Sequence, residues 1–233
     1  MLIAEYLLRE HRKANTLPSD PALVETIVTT NMAKIIAKEY HVNIIEVLTG
    51  FKYIGEQIKF FEENQTYHYV FGLEESYGCL AGTYARDKDA CVAVMLLCEV
   101  AAYYKKYNMT LWDAMLAMYE KYGYYREGQQ SITLKGKDGA ASIRAMMDDA
   151  RKNPSKELGG YQVYSISDYA NDKILLLATG ETTSTGLPSS NVIYYELEND
   201  SWCCLRPSGT EPKIKFYYGV RGTSLEDSQK KLD

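Results

Sequence analysis

The sequence predicts an α/β protein in two parts: an α/β/α sandwich domain with a mixed, mostly parallel sheet, then a smaller α+β domain with an antiparallel sheet. Three observations carry this. Strand-like and helix-like runs alternate from Glu25 to Leu73, the alternation stops near Tyr122, and short strand-like runs separated by turn residues follow a single helix beyond it. At 233 residues the chain is comfortable for two domains, which usually run to about 100–150 residues each.

Met1 to Lys13 has helical periodicity, with Leu2, Ile3, Tyr6 and Leu7 on one side, and the two prolines of "NTLPSDPAL" stop it. "ETIVTT" (Glu25–Thr30) is an apolar, β-branched run suited to a buried strand. "NMAKIIAKEY" follows as a helix with Asn31 placed as its N-cap, and "VNIIEVL" is a second strand. Strand, helix, strand makes a β-α-β unit, which requires parallel strands and a right-handed crossover. The helix "YIGEQIKFFEEN" and the strand "YHYVFGL" repeat the pattern. After the loop "EESYGCLAGTYARDKD" come helices over Asp89–Tyr107 and Thr110–Lys121, the second capped by Thr110. The domain boundary is placed near Tyr122 to Glu127, dividing the chain into 1–124 and 125–233, with residues 1–13 as the tail of a preceding connection. Beyond it lie the strand "QSITLKG", the helix "DGAASIRAMMDDARKN", and the strands "YQVYSISDY", "KILLLATG", "NVIYYELEN", "SWCCLRP" and "IKFYYGV". Short turns between them favour antiparallel pairing. At the end, "SLEDSQKKLD" opens a helix with Ser224 as N-cap and acidic residues in its first turn. A chain that opens inside one helix and closes at the start of another reads as a piece of something larger.

Composition excludes several classes. The 46% hydrophobic and 24% charged content describes a globular chain, and the net charge of −5 argues against a nucleic-acid binder, which needs a basic face. The apolar run "ACVAVMLLCEVAAYY" carries Glu99 and is shorter than the roughly 20 residues of a membrane span, so it reads as a buried helix. No secretory signal is visible at Met1, so a cytoplasmic protein is expected. Cys79, Cys91, Cys98, Cys203 and Cys204 lack metal-type or redox-type spacing and read as reduced thiols, with Cys91 and Cys98 as core residues of their helix. His11, His41 and His68 are too scattered to make a zinc set.

Four loops at strand or helix ends could carry chemistry, which is where open α/β sheets bind ligands. In "LTGFKYIG", Thr49 offers a hydroxyl, Gly50 allows close backbone approach, and Lys52 stands at a helix start. A structural turn with an exposed lysine explains those residues equally well. In "GLEESYG", Glu74 and Ser76 could face a cleft and bind sugar hydroxyls, carboxylates being able to accept from two neighbouring hydroxyls. "YARDKDA" sets Arg86 and Lys88 beside Asp87 and Asp89, and spacing alone favours a capped helix with self-neutralising charges. The fourth, "CLRPSGTEPKIKFYY", gathers a guanidinium, two hydroxyls and a glycine turn within five residues: Arg206, Ser208, Gly209 and Thr210, with Lys213 and Lys215 behind. Those are the donors a phosphate requires, whereas an ordinary solvated hairpin, the alternative reading, needs the glycine but not this many donors. No Walker-type pattern accompanies them, so no nucleotide site is indicated.

Taken in order, "TGFKYIG", "GLEESYG", "RDKD" and "RPSGTEPKIKFYY" resemble the α-D-phosphohexomutases, in particular the phosphoglucomutase/phosphomannomutase branch. The resemblance covers nearly the whole chain and implies the third domain of four, a sugar-binding α/β domain, joined to the fourth, a phosphate-binding α+β domain with a truncated final helix. It implies interconversion of hexose 1-phosphate and hexose 6-phosphate through a phosphoserine of the first domain and a hexose 1,6-bisphosphate intermediate. Mg2+ would be held by the second domain. By resemblance Glu74, Ser76, Thr49 and Gly50 contact or orient the sugar, and Arg206, Ser208, Gly209, Thr210 and Lys215 hold the phosphate not being transferred. Lys52, Arg86, Lys88 and Lys213 are further candidates. The partners implied are a phosphorylated hexose and the N-terminal domains of the same enzyme, with neither nucleic acid nor membrane. The family's serine loop and metal loop are absent from the sequence, Ala90 stands where glycine is common, and Lys215 stands where many members have arginine. The chain alone is therefore expected to lack mutase activity. A phosphopentose or phosphoglucosamine mutase piece, or a complete non-catalytic phosphosugar-binding module, would share these loops.

Overall fold

A computed structural model describes residues 1–134 and 137–233, and contacts divide the chain into two units, Met1–Tyr125 and Arg126–Asp233. The first unit runs α1 (Leu2–Ala14), β1 (Pro21–Thr26), α2 (Asn31–Tyr40), β2 (Asn43–Val47), α3 (Phe51–Asn64), β3 (His68–Leu73), β4 (Cys79–Ala81), α4 (Ala90–Lys105) and α5 (Leu111–Tyr122). Its sheet has the order β2-β1-β3-β4. β1 pairs parallel with β2 and β3, whereas β4 returns antiparallel along β3. The sheet is thus mixed and mostly parallel.

Strand alternation sends neighbouring side chains of β1 to opposite layers. Leu23 packs with Ala4 and Leu8 of α1 and with Met32 and Ile36 of α2. Ala22 and Val24 pack with Phe51, Ile54 and Ile58 of α3. Helices therefore cover both faces, and the ends of β1, β2 and β3 are left to emerge together at one edge. On α1, the Arg9 guanidinium lies 4.3 Å from the Tyr103 ring centroid and Tyr6 donates to Glu99 at 2.8 Å, both tying α1 to α4.

Four expectations are corrected here. The first strand spans Pro21–Thr26 and not Glu25–Thr30, because Ala22 to Thr26 pair with Asn43 to Val47 in register. Pro21 is tolerated at the first strand position, where a missing N–H does least harm. The N-cap of α2 is Thr30, whose side chain accepts from the Met32 N–H at 3.2 Å, and Asn31 is already helical. The loop after β3 contains the three-residue strand β4. Finally, α4 is not a buried helix: only Leu96, Val100 and Tyr104 are buried, while Cys91, Val94, Met95 and Cys98 form an exposed stripe at helical spacing. Cys91 and Cys98 share that face, but it is the solvent face. All five cysteines are free thiols. No helix of the described residues is long and apolar enough to cross a membrane.

The second unit is built from β5 (Tyr124–Thr133, whose first two residues still fall in the first unit), α6 (Lys137–Lys152), β6 (Glu157–Leu158), β7 (Tyr161–Asp168), β8 (Lys173–Leu176), β9 (Thr182–Thr183), β10 (Ile193–Leu197), β11 (Ser201–Pro207), β12 (Lys213–Gly222) and α7 (Leu225–Leu232). Strand order is β5-β12-β11-β10-β7-β8-β9, with β6 on β7. The pairs β10/β11, β11/β12, β7/β10 and β7/β8 are antiparallel. The expected strand over 130–136 ends in Lys135 and Gly136, which lie outside the described residues. Ile143 and Met147 of α6 pack on Val163, Ile166, Ile193, Tyr195 and Ile214. Ser224 caps α7 by accepting from Asp227 N–H at 3.1 Å.

Candidate functional site

In the first unit three strand ends supply the loops. At the end of β1, Thr26 is buried, and its hydroxyl meets Thr29 Oγ1 at 2.9 Å and donates to Glu75 Oε2 at 2.9 Å. That bond anchors the loop after β3 to the end of β1. After β2, Gly50 occupies φ +123°, which an L side chain rarely adopts, and it starts α3 without a side-chain cap. Beside it the Thr49 hydroxyl is buried with no partner among the described residues, an arrangement that costs about 1–3 kcal/mol until something bonds it. Lys52 is exposed, its ammonium 4.6 Å from the Tyr53 ring centroid.

The loop after β3 is a tight hairpin into β4, closed by Glu74 N–H donating to the Gly78 carbonyl at 2.9 Å. Glu74 is buried and Ser76 is exposed. Lys88 Nζ approaches Glu74 Oε1 at 3.7 Å and Asp87 Oδ1 at 3.4 Å. A Cβ at Gly78 would lie 2.5 Å from Glu74 Oε1 and 2.7 Å from Lys88 Cδ, so the glycine makes room for both side chains. Arg86 points elsewhere: its guanidinium donates to Glu62 Oε2 at 2.7 Å and to the Thr83 carbonyl at 2.6 Å. Its own carbonyl rests on Gly55 of α3, where a Cβ would come within 2.0 Å. Asp89 caps α4 by accepting from the Cys91 and Val92 N–H groups. The Tyr84 hydroxyl, followed by those N–H groups, holds its carboxyl below the usual range. Lys88 is thus drawn to Glu74 and Glu75 to Thr26, whereas Arg86 turns to Glu62.

In the second unit the candidate loop joins β11 to β12. Arg206 stands directly across from Lys215, and Pro207 across from Ile214. Alternation places Lys213 and Lys215 on the same side as Arg206, opposite the face on which Ile214 enters the core. None of the three has a carboxylate partner among the described residues. Ser208 organises the turn: its N–H donates to the Lys213 carbonyl at 2.7 Å, and its Oγ accepts from the Glu211 N–H at 3.3 Å and the Thr210 N–H at 3.4 Å. Gly209 has open space where a Cβ would sit and no positive φ, so the fold itself does not demand glycine there. Behind the hairpin, burial pushes the Cys203 thiol up to about 11, which keeps it protonated at neutral pH. Among the described residues no cluster of three His, Cys, Asp or Glu side chains is placed to hold a metal ion.

Sequence reasoning singled out Glu74 but not its approach to Lys88, nor the Thr26–Glu75 bond. Thr26 and Glu75 are 49 positions apart, and only the β1/β3 pairing brings them together. Thr26 is the last residue of β1 and Glu75 the second after β3, a placement at two strand ends that the expected strand over 25–30 concealed.

Such a chain is an α/β/α domain of the kind that offers its strand ends to ligands, followed by an antiparallel unit with a cationic hairpin. Residues 1–122 match the family described as phosphoglucomutase/phosphomannomutase, alpha/beta/alpha domain III. The chain belongs to the phosphoglucomutase/phosphomannomutase family. It is 36% identical over 211 residues to a phosphoglucomutase of Staphylococcus aureus, covering 91% of this chain and 38% of that protein. Its fold is similar to that of parafusin, a phosphoglucomutase from Paramecium, with a TM-score of 0.61, 14% identity, and coverage of 96% of this chain and 36% of that one. A phosphoglucomutase/phosphomannomutase family protein from Burkholderia thailandensis is also similar, with a TM-score of 0.51, 12% identity, and coverage of 99% of this chain and 40% of that one. The chain spans well under half the length of each of these proteins.

Proposed function

We propose that this chain supplies the sugar-reading and phosphate-holding parts of a hexose phosphate mutase. Glu74 and Ser76, with Thr49 and Gly50, take the sugar hydroxyls; Arg206, Ser208, Gly209, Thr210 and Lys215 hold the phosphate that is not in transfer, with Lys213 adding charge. Lys52 and Lys88 are the remaining cations of the first unit's strand-end loops, and Arg86 serves to fix its turn through Glu62. The reaction so served interconverts hexose 1-phosphate and hexose 6-phosphate by way of a phosphoserine and a hexose 1,6-bisphosphate. Its serine and the ligands of its magnesium lie outside these 233 residues, whose sequence contains neither loop. The magnesium would stabilise charge on the phosphoryl group in flight, and no residue of this chain is assigned to it.

The observation that carries the reading is the Arg206/Lys215 pair. Two cations directly across an antiparallel ladder repel one another, and no carboxylate among the described residues relieves them. A phosphate does, and the guanidinium can grip it bidentately while the hydroxyls of Ser208 and Thr210 and the Gly209 N–H complete its shell. In the first unit, the unsatisfied Thr49 hydroxyl and the buried Glu74 carboxylate match the acceptors and donors of adjacent sugar hydroxyls.

Calorimetric titration of the 233-residue chain with glucose 1,6-bisphosphate tests this. The expected result is saturable binding that Arg206→Ala weakens about 10- to 100-fold. Equal affinity in the variant would overturn the phosphate assignment. Incubated alone with glucose 1-phosphate, the chain is expected to form no glucose 6-phosphate, and measurable turnover would refute the division of labour proposed here.

A further inference from the structure

Tyr77, in the hairpin that carries Glu74 and Ser76, is 97% exposed and sits at φ +70°. Both facts are unusual for an aromatic residue. Among the described residues nine non-glycine positions have positive φ, and six of them are Asn or Asp, the types that tolerate it. Two more, His41 and Gln65, terminate helices. Tyr77 alone carries a large aromatic ring outside a helix end, and at 97% exposure nothing packs on it to offset the strain. Ordinary loop chemistry would place Gly or Asn at this position.

The backbone around it is fixed from both sides. Glu74 N–H bonds the Gly78 carbonyl at 2.9 Å, and Glu75 is tied to Thr26 at 2.9 Å, so the backbone that carries the ring is set in the same short hairpin as Glu74 and Ser76. Strain kept at an exposed point beside a ligand-binding group calls for a contact made only when the ligand is present. A pyranose has the matching chemistry: polar hydroxyls at its edge for Glu74 and Ser76, and a face of C–H groups that an aromatic ring covers at little entropic cost.

We propose that Tyr77 is a positioning residue of the sugar site, covering the apolar face of the hexose while Glu74 and Ser76 hold its hydroxyls. The proposal rests on the phosphosugar reading above. It assigns the ring face, and not the phenolic hydroxyl, to the contact.

Three forms of the chain, wild type, Tyr77→Phe and Tyr77→Asn, are titrated with glucose 1,6-bisphosphate, and their thermal midpoints are recorded without ligand. Tyr77→Phe is expected to bind within about twofold of wild type and Tyr77→Asn about tenfold more weakly. Because Asn tolerates the left-handed backbone, Tyr77→Asn is also expected to melt about 1–3 °C higher. Affinity and stability then move in opposite directions, which a merely structural tyrosine would not produce. Tyr77→Asn binding as well as wild type overturns the proposal, as does a loss in Tyr77→Phe equal to that in Tyr77→Asn. Weaker binding accompanied by a lower thermal midpoint also overturns it. If wild type shows no saturable binding, the phosphosugar reading falls first and this inference with it.

Discussion

Arg206 and Lys215 face each other across β11 and β12, and a like-charge pair in that position costs about 0.2–1 kcal/mol. Removing one partner should therefore stabilise the empty chain. Arg206→Ala is expected to raise the thermal midpoint slightly in anion-free buffer, by about 1–2 °C, while losing the further rise that hexose bisphosphate gives wild type. Differential scanning fluorimetry with and without the ligand reads both effects. At Gly78 the outcome is different, because a Cβ would meet Glu74 Oε1 at 2.5 Å. Gly78→Ala is expected to displace that carboxylate and to weaken bisphosphate binding roughly fivefold or more, with the far-UV spectrum unchanged. Asp227 carries a pH dependence. The Thr223 N–H at 2.7 Å, and then Lys231, hold its carboxyl down at about 2. An unfolded aspartate titrates near 3.9, so the folded state binds this proton less readily. The stabilisation is complete above about pH 4 and disappears as the pH falls through about 2. The difference in thermal midpoint between wild type and Asp227→Asn should shrink across that window.

Among the elements, α4 separates packing from composition. Leu96 and Val100 lie in the buried face, whereas Val94 and Met95 are 62% and 59% exposed on the opposite one. Leu96→Ala is expected to cost about 2–5 kcal/mol, and Met95→Ala to stay within about 0.5 kcal/mol, as measured by denaturant unfolding. The apolar run at Ala90 predicted the helix correctly and its surroundings wrongly, because a helix apolar on all sides is also what an uncovered apolar face looks like in sequence. Strand β11 was legible residue for residue in "SWCCLRP", since its alternation and flanking turn residues agree. β4 was not, because Cys79–Ala81 becomes a strand only through pairing with Phe71–Leu73. Thr110 was readable as a cap, and the structure adds its reciprocal partner Asp113. The loop motifs of the candidate site could be read as strings, while the Lys88–Glu74 and Thr26–Glu75 approaches depend on strand order, which spacing does not encode.

On the scale of the whole molecule, a chain of net charge −5 keeps three cations with no carboxylate partner among the described residues at one hairpin of its second unit. On the phosphate assignment proposed for that hairpin, overall repulsion of anions and local attraction for one of them compete, and ionic strength screens the first more than the second. The hairpin therefore makes the protein discriminate among its own solvents. Two buffers of equal ionic strength, one of phosphate and one of a bulky organic base, are not equivalent media for it. Titrations, melting curves and crystallisation trials carried out in phosphate would begin with the hairpin already occupied, and would understate every affinity measured against it.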